Sequence, residues 1–353
     1  MDPVEWPIAA PAADRPVEPA RRAGGDRLAT VRRDFFLDSA QRLSEQERAL
    51  MTAMLHDLIG GLADELRTAL PPEPREASDE RPEREPGAVI ADLAAAGLLD
   101  RADLVALLLR RADSDRIASA MRPHLDPHRS PLVQSLAADG DAAVSTAAMA
   151  LVLARGRRRD RFAQSLIDFD DLSAESAVAI VHAVGAALRP ELAPASADRR
   201  LSAACISLLS RHDEGLRLDA LVAALVRSLD EADRLDDELF AAAAHEGELD
   251  VLAAGLARRA AIDVEDAFRH LASPGDGRLM MLLRMAGASR SLAARLLADI
   301  GELLGIADPG HEIASFDQIE AAAVEAARGW LRLDVHYRAA RLALGGQHGQ
   351  RAV

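Results

Sequence analysis

The chain has 353 residues, of which 49% are hydrophobic, 28% are charged and 3% are aromatic, and its formal net charge is -15. It contains no lysine and no asparagine, so all 42 basic residues are arginine. These absences exclude a Walker-type phosphate loop, a Schiff-base lysine and N-glycosylation. The acidic balance argues against a protein whose main task is to neutralise nucleic-acid phosphates.

The N-terminal part divides by composition into three segments. Residues 1–25 are rich in proline and alanine, which predicts a flexible arm. Residues 26–70 are predicted as an N-terminal helical segment, because Ser44 and Glu47 form a capping-box pattern ahead of apolar residues at helical spacing. Residues 71–87 are rich in Pro, Glu and Arg, which predicts a linker.

Residues 88–344 read as short helices, and none of this stretch alternates with the period of two that a strand requires. Capping residues precede several apolar runs and predict helix starts, chiefly at Asp141, Ser173, Asp263 and Ser289. Glycines or prolines follow the apolar runs and predict helix ends, chiefly at Gly97, Gly156, Pro190, Gly247 and Gly287. We therefore predict an all-α fold of stacked antiparallel helix pairs, a HEAT-like helical repeat (α-solenoid), followed by a disordered tail at 345–353.

Four stretches of this body resemble a helical family from alphaproteobacteria that is catalogued as a domain of unknown function. They are Phe169 to Arg189, Leu235 to Leu239, Glu246 to Arg258, and Arg284 to Ser289. The resemblance implies the same helical-repeat fold and brings no catalytic residues with it.

The densest basic cluster comprises five arginines within seven positions: Arg155, Arg157, Arg158, Arg159 and Arg161. Guanidinium groups bind phosphate through paired hydrogen bonds, so the cluster is a candidate site for an anionic ligand. The alternative is that these arginines form ion pairs with nearby aspartates, among them Asp160 and Asp171.

Other candidate chemistry is weaker. His124 and His128 have the spacing of a metal pair, but Pro123 and Pro127 interrupt the helix that such a pair needs. The single Cys205 lies in an apolar run and has no disulfide partner within the chain. We therefore predict no catalytic residue, no metal site and no cofactor.

Residues 211–270 hold 15 acidic residues against 7 arginines, which predicts an acidic face that attracts a basic partner. The N-terminus has acidic residues and prolines where a signal peptide needs basic and apolar residues, and no long uncharged apolar run follows, so we expect a cytoplasmic protein. The resulting hypothesis is a non-enzymatic scaffold or regulatory adaptor that binds another protein, without nucleic acid or membrane. The alternative is a sensor of a nucleotide or cyclic dinucleotide at the arginine cluster. The sequence leaves the oligomeric state open.

Overall fold

The structure is a computed structural model, and it describes residues 43–70, 83–193, 195–272 and 277–350. The predicted arm at 1–25, residues 26–42 of the predicted helical segment, most of the predicted linker and residues 351–353 of the predicted tail lie outside these residues. Sixteen α-helices run through the described part of the chain, which contains no strand. They are α1 (Glu45–Ala69), α2 (Pro86–Ala95), α3 (Ala102–Met121), α4 (Leu132–Ala137), α5 (Ala142–Arg157), α6 (Ala174–Ala187), α7 (Ala197–Leu209), α8 (Leu218–Glu231), α9 (Asp237–His245), α10 (Leu249–Ala260), α11 (Val264–Leu271), α12 (Arg278–Met285), α13 (Arg290–Ile300), α14 (Pro309–Gln318), α15 (Ala321–Leu331) and α16 (Val335–Gln350).

Local capping explains many of the helix starts, as predicted. At α1 the Ser44 side chain accepts from the N–H of Glu47, and the Glu47 carboxylate accepts from the N–H of Ser44. The predicted caps Asp141, Ser173 and Ser289 also accept hydrogen bonds from the first turns of their helices. These polar side chains satisfy backbone N–H groups that have no partner within the helix.

Two boundaries differ from the sequence prediction. Pro86 and Gly87 belong to the first turn of α2 and not to a linker, because proline fits the first helical position, where no N–H is needed. The predicted stop at Gly156 lies in the last turn of α5, which ends one residue later at Arg157. Helix α16 runs to Gln350, so residues 345–350 are helical where the sequence predicted a tail.

The helices pack in neighbouring pairs, including α4 with α5, α6 with α7, and α10 with α11. Contacts also join helices that are far apart in sequence, such as α1 with α7 and α9 with α13. In a regular solenoid each repeat touches only its neighbours. The all-helical fold and the packing of helices in pairs are confirmed. Because distant helices also touch, the HEAT-like repeat stays a prediction.

Two hydrophobic cores form in the described part of the chain. The N-terminal core combines α1, α2, α6 and α7 with Leu104, Leu107 and Leu108 of α3. The C-terminal core is built from α4, α5 and helices α8 to α15, and it includes Ile117 and Met121 of α3. Helix α3 therefore belongs to both cores, and its middle turns lie where the cores meet.

Candidate functional site

The arginine cluster begins in the last turn of α5 and continues into a loop that folds back on itself. Asp160 organises this loop, since its carboxylate accepts from the N–H groups of Phe162 and Gln164, both at 2.8 Å. Arg159 and Ser165 form a single antiparallel bridge. The loop therefore places consecutive arginines in different surroundings.

Arg158 is a structural residue. Its side chain is buried, and its Nε donates to the Asp171 Oδ2 at 2.7 Å. The same carboxylate accepts from the backbone N–H groups of Leu218 at 3.0 Å and Asp168 at 3.1 Å. Asp171 thus joins the end of α5 to the start of α8, and the predicted pairing alternative describes this arginine correctly.

Arg155 makes a two-pronged pair with Glu248, which precedes α10. Its two terminal nitrogens lie 3.0 Å and 2.7 Å from the two carboxylate oxygens. Burial opposes the charge of Arg155, but the attraction of Glu248 outweighs this effect and holds the pKa of Arg155 above its usual value. The pair connects α5 to α10.

The remaining three arginines are more exposed. Arg159 donates to the carbonyl of Ala163 at 2.8 Å, and its Nη2 lies 3.8 Å from the Asp115 carboxylate. Arg157 is exposed at the end of α5. Arg161 lies over the Phe162 ring, 4.7 Å from its centroid. The five arginines are therefore not one continuous site.

Arg155, Arg158 and Arg159 line a cavity of about 90 Å³ together with Arg111 of α3, and we name this space the arginine cavity. The carboxylates that line it are Asp115, Glu248 and Asp250. The structure thus brings together three of the five predicted arginines, adds a fourth from a helix some 40 positions earlier, and leaves out Arg157 and Arg161.

Sequence reasoning missed the polar middle of α3. Five of the seven residues at positions 110–116 are charged, and the other two are Ala112 and Ser114. This stretch therefore has as many charged residues per position as the arginine cluster has arginines. Arg110 donates to Asp219 of α8 at 2.5 Å and to Glu265 of α11 at 3.0 Å. The sequence did contain a signal, namely this run of charged residues inside an otherwise apolar helix. The role of these residues depends on the two cores that meet at the middle of α3.

The turn between α9 and α10 fixes the far wall of the arginine cavity. Gly247 has a φ of +72°, and a Cβ there would lie 2.8 Å from the Ala118 Cα of α3. Only glycine permits both this conformation and this approach. The contact places Glu248 and Asp250 against α3, where the Ser114 hydroxyl donates to Asp250 at 3.1 Å.

A second candidate site is a pair of clefts that are both lined by residues of α11. The large cleft, of about 740 Å³, lies among α3, the loop before α6, the start of α8, α11 and the start of α16. The adjoining cleft, of about 500 Å³, lies between α11 and the junction of α15 with α16. Four residues line both spaces: Asp263, Glu265, Arg269 and Val335.

The large cleft has an acidic lining. Five carboxylates face three arginines there: Asp103, Asp171, Asp219, Asp263 and Glu265 against Arg110, Arg217 and Arg269. Elsewhere in the acidic stretch 211–270, many carboxylates are used locally: Asp236 caps α9, Asp230 pairs with Arg258 and Glu238 pairs with Arg295. Much of the stretch's charge is thus engaged in caps and ion pairs. In the cleft, Asp171 is neutralised by Arg158, so four carboxylates remain against three arginines.

Within the described residues, no helix combines the length and the apolar character needed to cross a membrane. No curated protein and no solved structure matches the chain. A family model described as "Uncharacterised protein conserved in bacteria (DUF2336)" matches residues 92–328, which confirms the resemblance drawn from the helical body, while its restriction to alphaproteobacteria stays a prediction. Because this match spans more than half of the 353 residues, the chain belongs to the bacterial DUF2336 family, a domain of unknown function.

Proposed function

We propose that the protein is a non-enzymatic adaptor that binds a basic segment of another protein in the large cleft. The observation that carries this proposal is the cleft itself, with about 740 Å³ of space and, besides the buried Asp171, four carboxylates against three arginines. Small-ligand sites occupy about 300–1,000 Å³, so the space suits a few side chains of a bound segment.

Charge and apolar surface in the cleft favour such a partner. The carboxylates of Asp103 and Glu265 are 42% and 43% exposed, so they are accessible to a partner's cations. Val335 is 51% exposed at the edge shared by both clefts, which supplies an apolar contact beside the charges. The net charge of -15 also attracts a basic partner from a distance.

The proposal keeps the sequence-based interpretation that the protein works in the cytoplasm, without catalysis and without binding nucleic acid or membrane. A nucleotide or cyclic dinucleotide at the cluster Arg155–Arg161 has less support. The arginine cavity measures about 90 Å³, well below the roughly 300 Å³ at which small-ligand pockets begin. Arg157 and Arg161 do not line it.

Site-specific crosslinking tests the adaptor proposal. A photo-crosslinking residue is placed at Val335 in the full chain, and a matched one at Val178 of α6, which is 48% exposed and lies outside both clefts. We expect one partner to crosslink through the Val335 position and not through Val178. The crosslinked peptide of that partner should carry a net positive charge.

Binding of the purified partner then measures the contribution of the cleft. Val335→Arg should weaken the affinity at least about tenfold, because the new positive charge repels the positively charged partner. Val178→Arg should leave the affinity within about twofold. Raising the salt concentration should weaken binding further. Equal crosslinking at both positions, or equal affinity of both arginine variants, would contradict the proposal.

A further inference from the structure

Arg111 lines the arginine cavity, and its guanidinium forms no hydrogen bond with the described part of the chain. Its Nε is enclosed by protein, so only its terminal nitrogens are available to an occupant of the cavity. The nearest contact of this guanidinium with a carboxylate joins its Nη1 to Asp250 at 3.7 Å, beyond hydrogen-bond length. A largely enclosed guanidinium without a hydrogen-bond partner is costly, so the cavity favours an acceptor that the chain itself does not supply.

The carboxylates around the cavity are already engaged elsewhere. Glu248 is held by Arg155. Asp250 accepts from the Ser114 hydroxyl at 3.1 Å, and Asp115 accepts from the Ser165 hydroxyl at 2.8 Å. The Arg159 Nη2 remains 3.8 Å from Asp115, so a second guanidinium also keeps donor capacity next to the cavity.

Two of the four arginines that line the cavity are only loosely paired. Asp171 neutralises Arg158 and Glu248 neutralises Arg155, whereas the nearest carboxylate oxygens lie 3.7 Å from Arg111 and 3.8 Å from Arg159. These two guanidinium groups are therefore better able to bind an anion than the other two. Leu249 and Asp250 at the start of α10 also line the cavity.

Size limits which anion fits. A volume of about 90 Å³ exceeds the roughly 10–15 Å³ that one water molecule needs, and it lies far below the range of sites for larger ligands. A single tetrahedral oxyanion matches both limits. Planar guanidinium groups from separate elements are well suited to share its oxygens.

From this geometry we infer that the arginine cavity binds one tetrahedral oxyanion of the phosphate class, either free or as the terminal phosphoryl group of a small monoester. Arg111 of α3 and Arg159 after α5 supply the unused donors, with Arg155 and Arg158 completing the positive wall. This site is separate from the clefts proposed for a protein partner. The bound anion connects α3, which belongs to both cores, to α5 and α10, so binding should stabilise the fold.

Thermal unfolding and 31P NMR titration of the full chain test the inference, with inorganic phosphate and glycerol phosphate as the two probes. We expect at least one probe to bind at a single site and, near saturation, to raise the Tm by roughly 3 °C or more over sodium chloride of equal ionic strength. A response to both probes identifies the phosphoryl group as sufficient, and a response to the monoester alone identifies the esterified form as the ligand.

Two arginines of similar chemistry provide the matched comparison. Arg111→Gln should weaken binding at least about tenfold, because it removes a guanidinium that no group of the protein pairs closely. Arg157→Gln changes an exposed arginine of the same cluster outside the cavity and should leave binding unchanged. If circular dichroism shows that Arg111→Gln does not fold, Arg159→Gln, on a more exposed side chain, serves in its place. The inference is wrong if neither probe stabilises the protein beyond chloride, or if Arg157→Gln loses as much affinity as the cavity variant.

Discussion

Among single residues, arginine has a structural role throughout this lysine-free chain. Arg338 of α16 is buried and forms a two-pronged pair with Asp266 of α11, at 3.1 Å and 2.5 Å. Arg116 donates to the carbonyl of Leu303 at 2.9 Å, which ties α3 to the segment after α13. A guanidinium has five donors in a fixed plane, so one arginine can join several elements in a way that a lysine cannot.

The ion pair of Arg158 with Asp171 should dominate local stability. Asp171→Asn leaves the buried guanidinium without a counter-charge, and we expect it to lower the free energy of unfolding by about 3–5 kcal/mol. Denaturant unfolding measures this loss. Asp198→Asn removes the carboxylate of an exposed pair with Arg189, whose side chains are 74% and 52% exposed, and should give no measurable change. Similar losses in both variants would contradict the assignment of Asp171 as a buried hub.

A carboxyl group between α1 and α3 should make stability depend on pH. Burial raises the pKa of Asp113 to about 6, nearby Glu47 adds to the rise, and Arg116 opposes it. Because the folded pKa lies above the unfolded one, this proton stabilises the fold below about pH 4, and its contribution is lost as the pH rises through about 6.

The variant Asp113→Asn mimics the protonated form at every pH. It should match the wild type near pH 4 and exceed its free energy of unfolding by up to about 3 kcal/mol near pH 8. Urea unfolding across this range provides the measurement. A difference between the two proteins that stays constant with pH would exclude the shifted carboxyl.

Among the helices and turns, caps and stops could be predicted, but functional positions inside the helices could not. The capping box at Ser44 and the positive φ of Gly97 and Gly287 follow from local backbone chemistry that the sequence displays directly. The predicted stop at Gly156 lies one residue before the observed end of α5 at Arg157, within the usual variation of helix ends.

Gly247 should matter more than other glycines in the same conformation. In Gly247→Ala the new methyl group meets the α3 backbone, so we expect a loss of at least about 2 kcal/mol in the free energy of unfolding. Gly97 has nearly the same φ, +71°, but a methyl group added there would have no neighbouring atom within 4 Å, so Gly97→Ala should cost about 1 kcal/mol. Denaturant unfolding compares the two, and equal costs would show that the approach to Ala118 is not tight.

For the molecule as a whole, the family match and the folded body do not coincide. The match begins at residue 92, whereas α1 supplies Met54, Leu58 and Leu62 to the N-terminal core. The sequence predicted a linker between this helix and the main body, but α1 packs against α3, α6 and α7. Its burial in a shared core makes it part of the same folding unit.

A fragment limited to residues 92–353 should therefore fold poorly. Without α1, the apolar faces of α6 and α7 are exposed, and we expect a Tm at least about 10 °C below that of residues 44–353, together with increased binding of a hydrophobic dye. The described residues from Ser44 onward belong to one compact unit, so the fragment 44–353 provides the reference. Equal Tm values would mean that α1 is dispensable for the N-terminal core.

Local sequence was sufficient to predict the all-helical class, several helix starts and the family, because propensity, periodicity and capping act over a few neighbouring residues. It also identified the arginine cluster, although not which of its members line the same cavity. Tertiary packing alone brings Arg155, Arg158 and Arg159 to Arg111 around one cavity and leaves Arg157 and Arg161 outside. That arrangement depends on α3, which belongs to both cores, and on the close approach of Gly247 to Ala118. Such packing joins residues that are far apart in the sequence, so no local sequence pattern predicts it.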